Sequence, residues 1–199
     1  MKFWKFLLNK FVHTYTVQPK TKDELIKIIN DTIKEKGVKA DLNFIDTSKI
    51  TDMTKIFHYS EFNGDISKWD VSNVKKMICM FDRAKFNGDI SKWNVSKVKE
   101  MDFMFHCSAF NGDISKWNVS KVRSMICMFR RSKFNGDISK WNVSNVRSMS
   151  WMFENSIFNG DISKWNVSKV KTKGNMFKDS PLEGKEPNWY KDWYKECEI

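Results

Sequence analysis

The hydrophobic positions of this chain recur with a step of 24 residues. The segment "FNGDISKW" begins at Phe62 and returns letter for letter at Phe86, Phe110, Phe134 and Phe158. In the first unit Ile66, Trp69 and Val71 follow the pattern I-x-x-W-x-V, with Asp70 between the last two. That alternation predicts a short strand with both apolar side chains on one face. Val74, Met77, Phe81 and Ala84 then fall at i, i+3, i+7 and i+10, with Met80 beside Phe81. This spacing predicts one apolar stripe on a short helix, and Ser72 stands where an N-cap belongs. Asn63 and Gly64 suit a tight turn that needs positive φ. The expected fold class is α/β: a solenoid with a short parallel strand plus a short helix per 24-residue coil. A single unit cannot bury its apolar face alone, so units must stack.

The same step taken backwards finds a degenerate coil. "ADLNFIDTSKITDMTKIF" aligns with "GDISKWDVSNVKKMICMF", so that Leu42 stands for Ile66, Ile45 for Trp69 and Met53 for Met77. Solenoids also need covers on their terminal coils. Thr21 and Glu24 form a capping-box pattern, Leu25, Ile28, Ile29 and Ile33 share one helical face, and Gly37 suits the C′ position. At the other end Lys173 replaces the expected Met, Pro181 stops the repeat, and Trp189, Tyr190, Trp193 and Tyr194 form an aromatic face for the last coil. The expected organisation is an apolar and basic segment 1–18, a capping helix 19–37, a degenerate coil 38–61, five repeats 62–181 and an aromatic cap 182–199.

Composition narrows the function classes. The chain has 199 residues, 30% of them charged, and a formal net charge of +11. That excess favours acidic partners or serves solubility. No apolar run reaches the ~18 residues that span a bilayer. The opening "MKFWKFLLNKFVHTYTVQPK" has too short an apolar stretch for a secretory leader, although segment 1–18 could lie on a membrane surface. Cys79, Cys107, Cys127 and Cys197 form no C-x-x-C pair. Coils stacked ~4.8 Å apart place Cys79 and Cys127 nearly ~10 Å from each other, beyond the ~7 Å a disulfide allows.

With Trp69 and Val71 inward, the residues between and around them face outward. The candidate binding face is therefore Lys68, Asp70, Lys92, Asn94, Lys116, Asn118, Lys140, Asn142, Lys164 and Asn166. Lys97, Lys99, Lys121, Arg123, Arg147, Lys169 and Lys171 add charge at the next corner. Asp65, Asp89, Asp113, Asp137 and Asp161 recur as well, and accepting turn N–H groups or pairing with a lysine suits them better than calcium, whose nonapeptide repeat is absent. His106 and Cys107 are neighbours, which on a helix would not face each other. No catalytic motif, metal-ligand spacing or cofactor signature is present, so neither catalysis, a cofactor nor a metal is expected.

The repeat resembles that of BspA-like leucine-rich-repeat surface proteins, a bacterial tandem repeat of about 26 residues. The likeness rests on F-N-x-D-I, W-D or W-N, V-S-N-V and M-x-x-M-F, and runs from about Pro19 to about Pro181. It implies a leucine-rich-repeat-like solenoid that binds other proteins, and it implies a cell-surface location where the absence of a clear leader points to the cytoplasm. The expected function is thus non-catalytic binding of another protein with an acidic surface through the basic strand face. A spacer without ligand and an anionic-membrane-associated protein are the alternatives; nucleic acid is disfavoured, because no base-stacking platform is left outside the core.

Overall fold

A computed structural model describes residues 15–191. Its repeats form a solenoid-like pile with little regular helix or strand. Among the described residues the one long helix is α1, Lys22–Lys36, ahead of the coils. Thr21 caps it by accepting the Glu24 amide at 3.1 Å, and Gly37 closes it at φ +83°. Leu25 and Ile29 of α1 enter the core that the coils share.

The expected strand and helix in each coil are not what the chain adopts. Each unit is a closed path of tight turns. In the first unit, Trp69 N–H donates to Ile66 O at 3.1 Å, Val74 to Val71 at 2.9 Å, Met80 to Met77 at 3.3 Å and Ala84 to Phe81 at 3.1 Å. Every one of these turns begins and ends on a buried apolar residue. An i, i+3 spacing is common to a helix and to a β-turn. The backbone decides between them: Cys79 has φ +54° and Arg83 φ +57°. Residues in the left-handed region cannot continue an α-helix. The same two places have positive φ in every coil, from Lys55 and Tyr59 to Asn175 and Asp179. Ser72 is accordingly a turn residue and not a helix cap; its amide donates to Asp70 Oδ1 at 2.9 Å. Ladder pairing is reduced to single parallel bridges, running Asp52, Lys76, Glu100, Ser124, Ser148 and Thr172 through consecutive coils.

Freed from a helix, the backbone amides bond between coils. Met77, Cys79, Phe81 and Arg83 donate forward to Glu100, Asp102, Met104 and His106, at 2.8–3.0 Å. Other groups donate backward. Lys99 N–H reaches Lys75 O at 2.9 Å, Asn87 N–H reaches Asn63 Oδ1 at 3.0 Å, and Trp93 Nε1 reaches Ile66 O at 3.2 Å. The asparagine column continues through Asn111, Asn135 and Asn159.

Stacked rings fill the interior. Phe57, Phe81, Phe105, Phe129, Phe153 and Phe177 form one column with centroids 5.5–6.0 Å apart. Phe62 to Phe158 form a second, which meets the first within each coil at 4.2–4.8 Å. The repeat glycines serve these rings and not a turn of positive φ: among the described glycines only Gly37 and Gly184 have it. A Cβ on Gly112 would stand 2.8 Å from the Phe110 ring.

The tryptophan column runs one step past the repeats. Trp189 lies 24 residues after Trp165, and its indole donates to Ile162 O at 3.1 Å, as Trp165 does to Ile138. Tyr190 packs edge-on to Phe177, and its hydroxyl accepts the Met176 amide at 3.1 Å. Lys173, buried where other coils hold Met, donates to Trp189 O at 3.3 Å. Trp193, Tyr194 and Cys197, like His13 and most of segment 1–18, lie outside the described residues.

Candidate functional site

Lys68, Lys92, Lys116, Lys140 and Lys164 are all exposed at the outer corner of the Ile-to-Trp turn. They form a column on a turn edge, not on a strand face. The acidic column stands beside them. Asp65, Asp89, Asp113, Asp137 and Asp161 each use Oδ1 to accept the amide two residues on, from Ser67 to Ser163, at 2.8–2.9 Å. For Asp89, Asp113, Asp137 and Asp161 that backbone bond is the main reason the carboxyl sits below the ordinary range, and the lysine one residue after the serine adds to it. The lysine column therefore carries a charge that its own turn largely balances.

Asp70, Asn94, Asn118, Asn142 and Asn166 also serve the turn. Their Oδ1 atoms accept the amides of Ser72, Ser96, Ser120, Ser144 and Ser168 at 2.9–3.2 Å. These side chains shape the corner before they can meet a partner.

The depressed aspartates have a consequence in acid. Unfolded, they return to about 3.9, so the unfolded chain binds more protons as pH falls below that value. Their stabilisation is present above about pH 4 and is lost as pH falls through the folded values. Asp102, raised mainly by burial, works in the opposite sense. The thermal midpoint is expected to fall as pH drops below about 4, and Asp89→Asn with Asp113→Asn should flatten that fall. Identical slopes in both proteins would refute the assignment.

The next corner has no such balance. Lys75, Lys99, Arg123, Arg147 and Lys171 are exposed in register. Lys99, Lys121, Arg123, Asn145, Arg147 and Lys169 line a groove of about 290 Å³ that no carboxylate enters. Lys169 Nζ donates to Asn145 Oδ1 at 2.8 Å, and Asn145 Nδ2 to Ser120 O at 2.8 Å, so polar side chains brace the groove. At the ~4.8 Å coil spacing, like charges repel by about 0.9 kcal/mol per pair in water. An anion laid along the groove relieves that repulsion.

The remaining wall, built from the positive-φ turns, varies from coil to coil. His58, Asp82, His106, Arg130, Glu154 and Lys178 share one repeat position. His106 Nδ1 lies 2.8 Å from Asp82 Oδ1. His58 Nδ1 lies 3.1 Å from Asp82 Oδ2, close enough for attraction but not aligned for a hydrogen bond. Arg130 pairs with Glu154. His106 and Cys107, set aside above as helix neighbours, do meet: Cys107 Sγ is 3.4 Å from His106 Nε2. With no helix there, and φ +50° at Cys107, the two side chains converge. The sequence signal that could have found the pair is the shared register of Asp82 and His106. Among the described residues no group of His, Cys, Asp and Glu could hold a metal ion, and no helix is long and apolar enough to cross a membrane.

The family profile described as "Mycoplasma protein of unknown function, DUF285" matches residues 27–133 and 106–190. No curated protein and no solved structure matches.

Proposed function

The chain belongs to this family of Mycoplasma proteins of unknown function, DUF285, and from that premise we propose that it is a non-catalytic binding protein whose groove at 99–169 holds an acidic segment of another protein. The observation that supports this is the contrast between two cationic corners. Around Lys68 each turn carries its own carboxylate, whereas Lys99, Lys121, Arg123, Arg147 and Lys169 line a groove without one. A charge already balanced attracts little; an unbalanced row steers and holds an anion. The kinship with BspA-like leucine-rich-repeat surface proteins belongs to the same proposal. It rests on the repeat motifs, and binding of other proteins is a property of that family.

The test uses two triple variants and an immobilised polyglutamate peptide. Lys99→Glu with Arg123→Glu and Arg147→Glu is expected to weaken binding by roughly tenfold or more, since each 1.4 kcal/mol is a factor of ten. Lys92→Glu with Lys116→Glu and Lys140→Glu is expected to change it much less. Wild-type binding should fall with added salt. Equal losses in both variants would move the site to the lysine column. No loss in either would leave the spacer, which the heavy use of outward Asp and Asn side chains in turn bonds favours. Binding to anionic vesicles but not to the peptide would favour the membrane instead.

A further inference from the structure

We propose that Cys107 is an activated thiol that exchanges with small anionic disulfides in the notch beneath Arg83, Lys85, Arg131 and Lys133. This site lies on the variable wall, apart from the basic groove, and does not rest on the binding proposal.

Three side chains make the thiol unusual. Asp82 Oδ1 accepts from His106 Nδ1 at 2.8 Å. A proton on Nδ1 leaves Nε2 with its lone pair, and Cys107 Sγ stands 3.4 Å from Nε2. This is the arrangement of a nucleophile, a base and a group that orients the base. Asp82 and His106 are buried, so the base is held in place. Burial lowers the basicity of His106 and Asp82 restores part of it, which favours the neutral ring that can accept a thiol proton. The charged and titratable groups around the ring are Asp82, His58, Arg83 and Arg130, the last engaged with Glu154.

The other described cysteines lack such a partner. Cys79 and Cys127 occupy the earlier positive-φ place of their coils. Cys127 is buried and its thiol is pushed up to about 11, chiefly by desolvation. Cys79 is also raised by burial. They serve as internal controls.

The notch supplies the ligand class. Its volume is about 210 Å³. Coils on either side present Arg83 with Lys85 and Arg131 with Lys133, while the coil between presents only Cys107 and Ala109 at those places. Small residues between two pairs of cations leave room for an anion in the notch that Cys107 helps to line. Arg83 is steadied by the Tyr59 ring, 5.0 Å beneath its guanidinium.

The exchange balances without another reactant. The Cys107 thiol proton passes to His106 Nε2. The thiolate attacks one sulfur of R–S–S–R, forming the Cys107–S–S–R bond and breaking the old one. The departing R–S⁻ carries the electron pair and takes the proton from His106. The small disulfide is reduced to one thiol as Cys107 is oxidised. One reagent is consumed per thiol, so this is a modification site and not turnover.

The experiment uses the full chain with Cys197→Ser, and follows thiol release from dithionitrobenzoate, which is anionic, and from dithiodipyridine, which is neutral. One fast phase per chain is expected, and Cys107→Ser should abolish it. Asp82→Asn and His106→Gln should each slow it by roughly tenfold with the anionic and the neutral reagent alike. Arg131→Gln with Lys133→Gln should slow the anionic reagent and spare the neutral one. Oxidised glutathione should then leave a single adduct on Cys107, visible by mass. A fast phase that survives Cys107→Ser would overturn the proposal, as would equal rates at all thiols of the parent chain. Those last readouts need no core variant, so a variant that fails to fold leaves the outcome decided.

Discussion

Phe105→Ala is expected to cost about 3–5 kcal/mol in urea unfolding followed by tryptophan fluorescence. Phe105 is fully buried and touches rings on four sides: Phe81 at 5.6 Å, Phe129 at 5.7 Å, Phe110 at 4.4 Å and Trp117 at 6.3 Å. Truncation removes the transfer free energy of the ring and leaves a cavity that those neighbours cannot fill without leaving their own columns. The backbone resists collapse too, because Phe105 N–H is bonded forward to Met128 O at 2.9 Å. Each coil contacts only its neighbours, so a weakened middle coil divides the pile. The unfolding curve should broaden or split as the cost is felt. A cost below about 1 kcal/mol would mean that the ring lattice relaxes as a fluid, contrary to close packing.

Gly64→Ala is expected to be the most damaging of the glycine substitutions. Its new Cβ would sit 2.0 Å from Ala40 O and 2.8 Å from the Phe62 ring. A side chain can yield, but Ala40 O belongs to the preceding coil and already accepts the Asp65 amide at 3.1 Å. Overpacking of this kind costs about 1–3 kcal/mol and more where backbone must move. The contrast is Gly174, where an added Cβ meets nothing within 4 Å. Gly174→Ala should be neutral or add about 0.4–1 kcal/mol by stiffening the unfolded chain. Thermal midpoints of the two variants should therefore move apart from the parent in opposite directions, or one fall while the other stays. Equal midpoints would show that the close approach at Gly64 is not real.

The sequence made the step of the pile and the identity of its buried residues plain. Trp69, Val71, Met77 and Phe81 are inside, as their spacing required. It did not reveal the local path between them. Ile66 to Trp69, Val71 to Val74 and Met77 to Met80 are all i, i+3 pairs, and a turn and a helix write that pair alike. Only the sign of φ at Cys79 and Arg83 separates them, and neither residue type announces it. The glycines misled in the reverse sense. Their type suggested positive φ, but a neighbouring Phe ring is what excludes a side chain. Trp189 was legible in principle, since it keeps the step from Trp165, yet "LEGKEPNW" preserves too little of "FNGDISKW" to be seen as its continuation. The candidate sites followed the same rule. Rows of lysine could be counted, but which row is balanced depends on the bond each Asp makes to its own turn. The meeting of His106 with Cys107 depends on a single reversed backbone angle.

The two-way bonding between coils turns the molecule into a ruler with fixed graduations. Met77 reaches Glu100, Lys99 reaches Lys75 and Trp93 reaches Ile66 only because each loop of chain is the same length. A stray insertion of one residue would misalign both sets of grips at once, whereas a whole extra graduation would engage them unchanged. Proteins built this way lengthen or shorten in complete increments of about 4.8 Å, and each added increment brings its own outward letters on the variable wall.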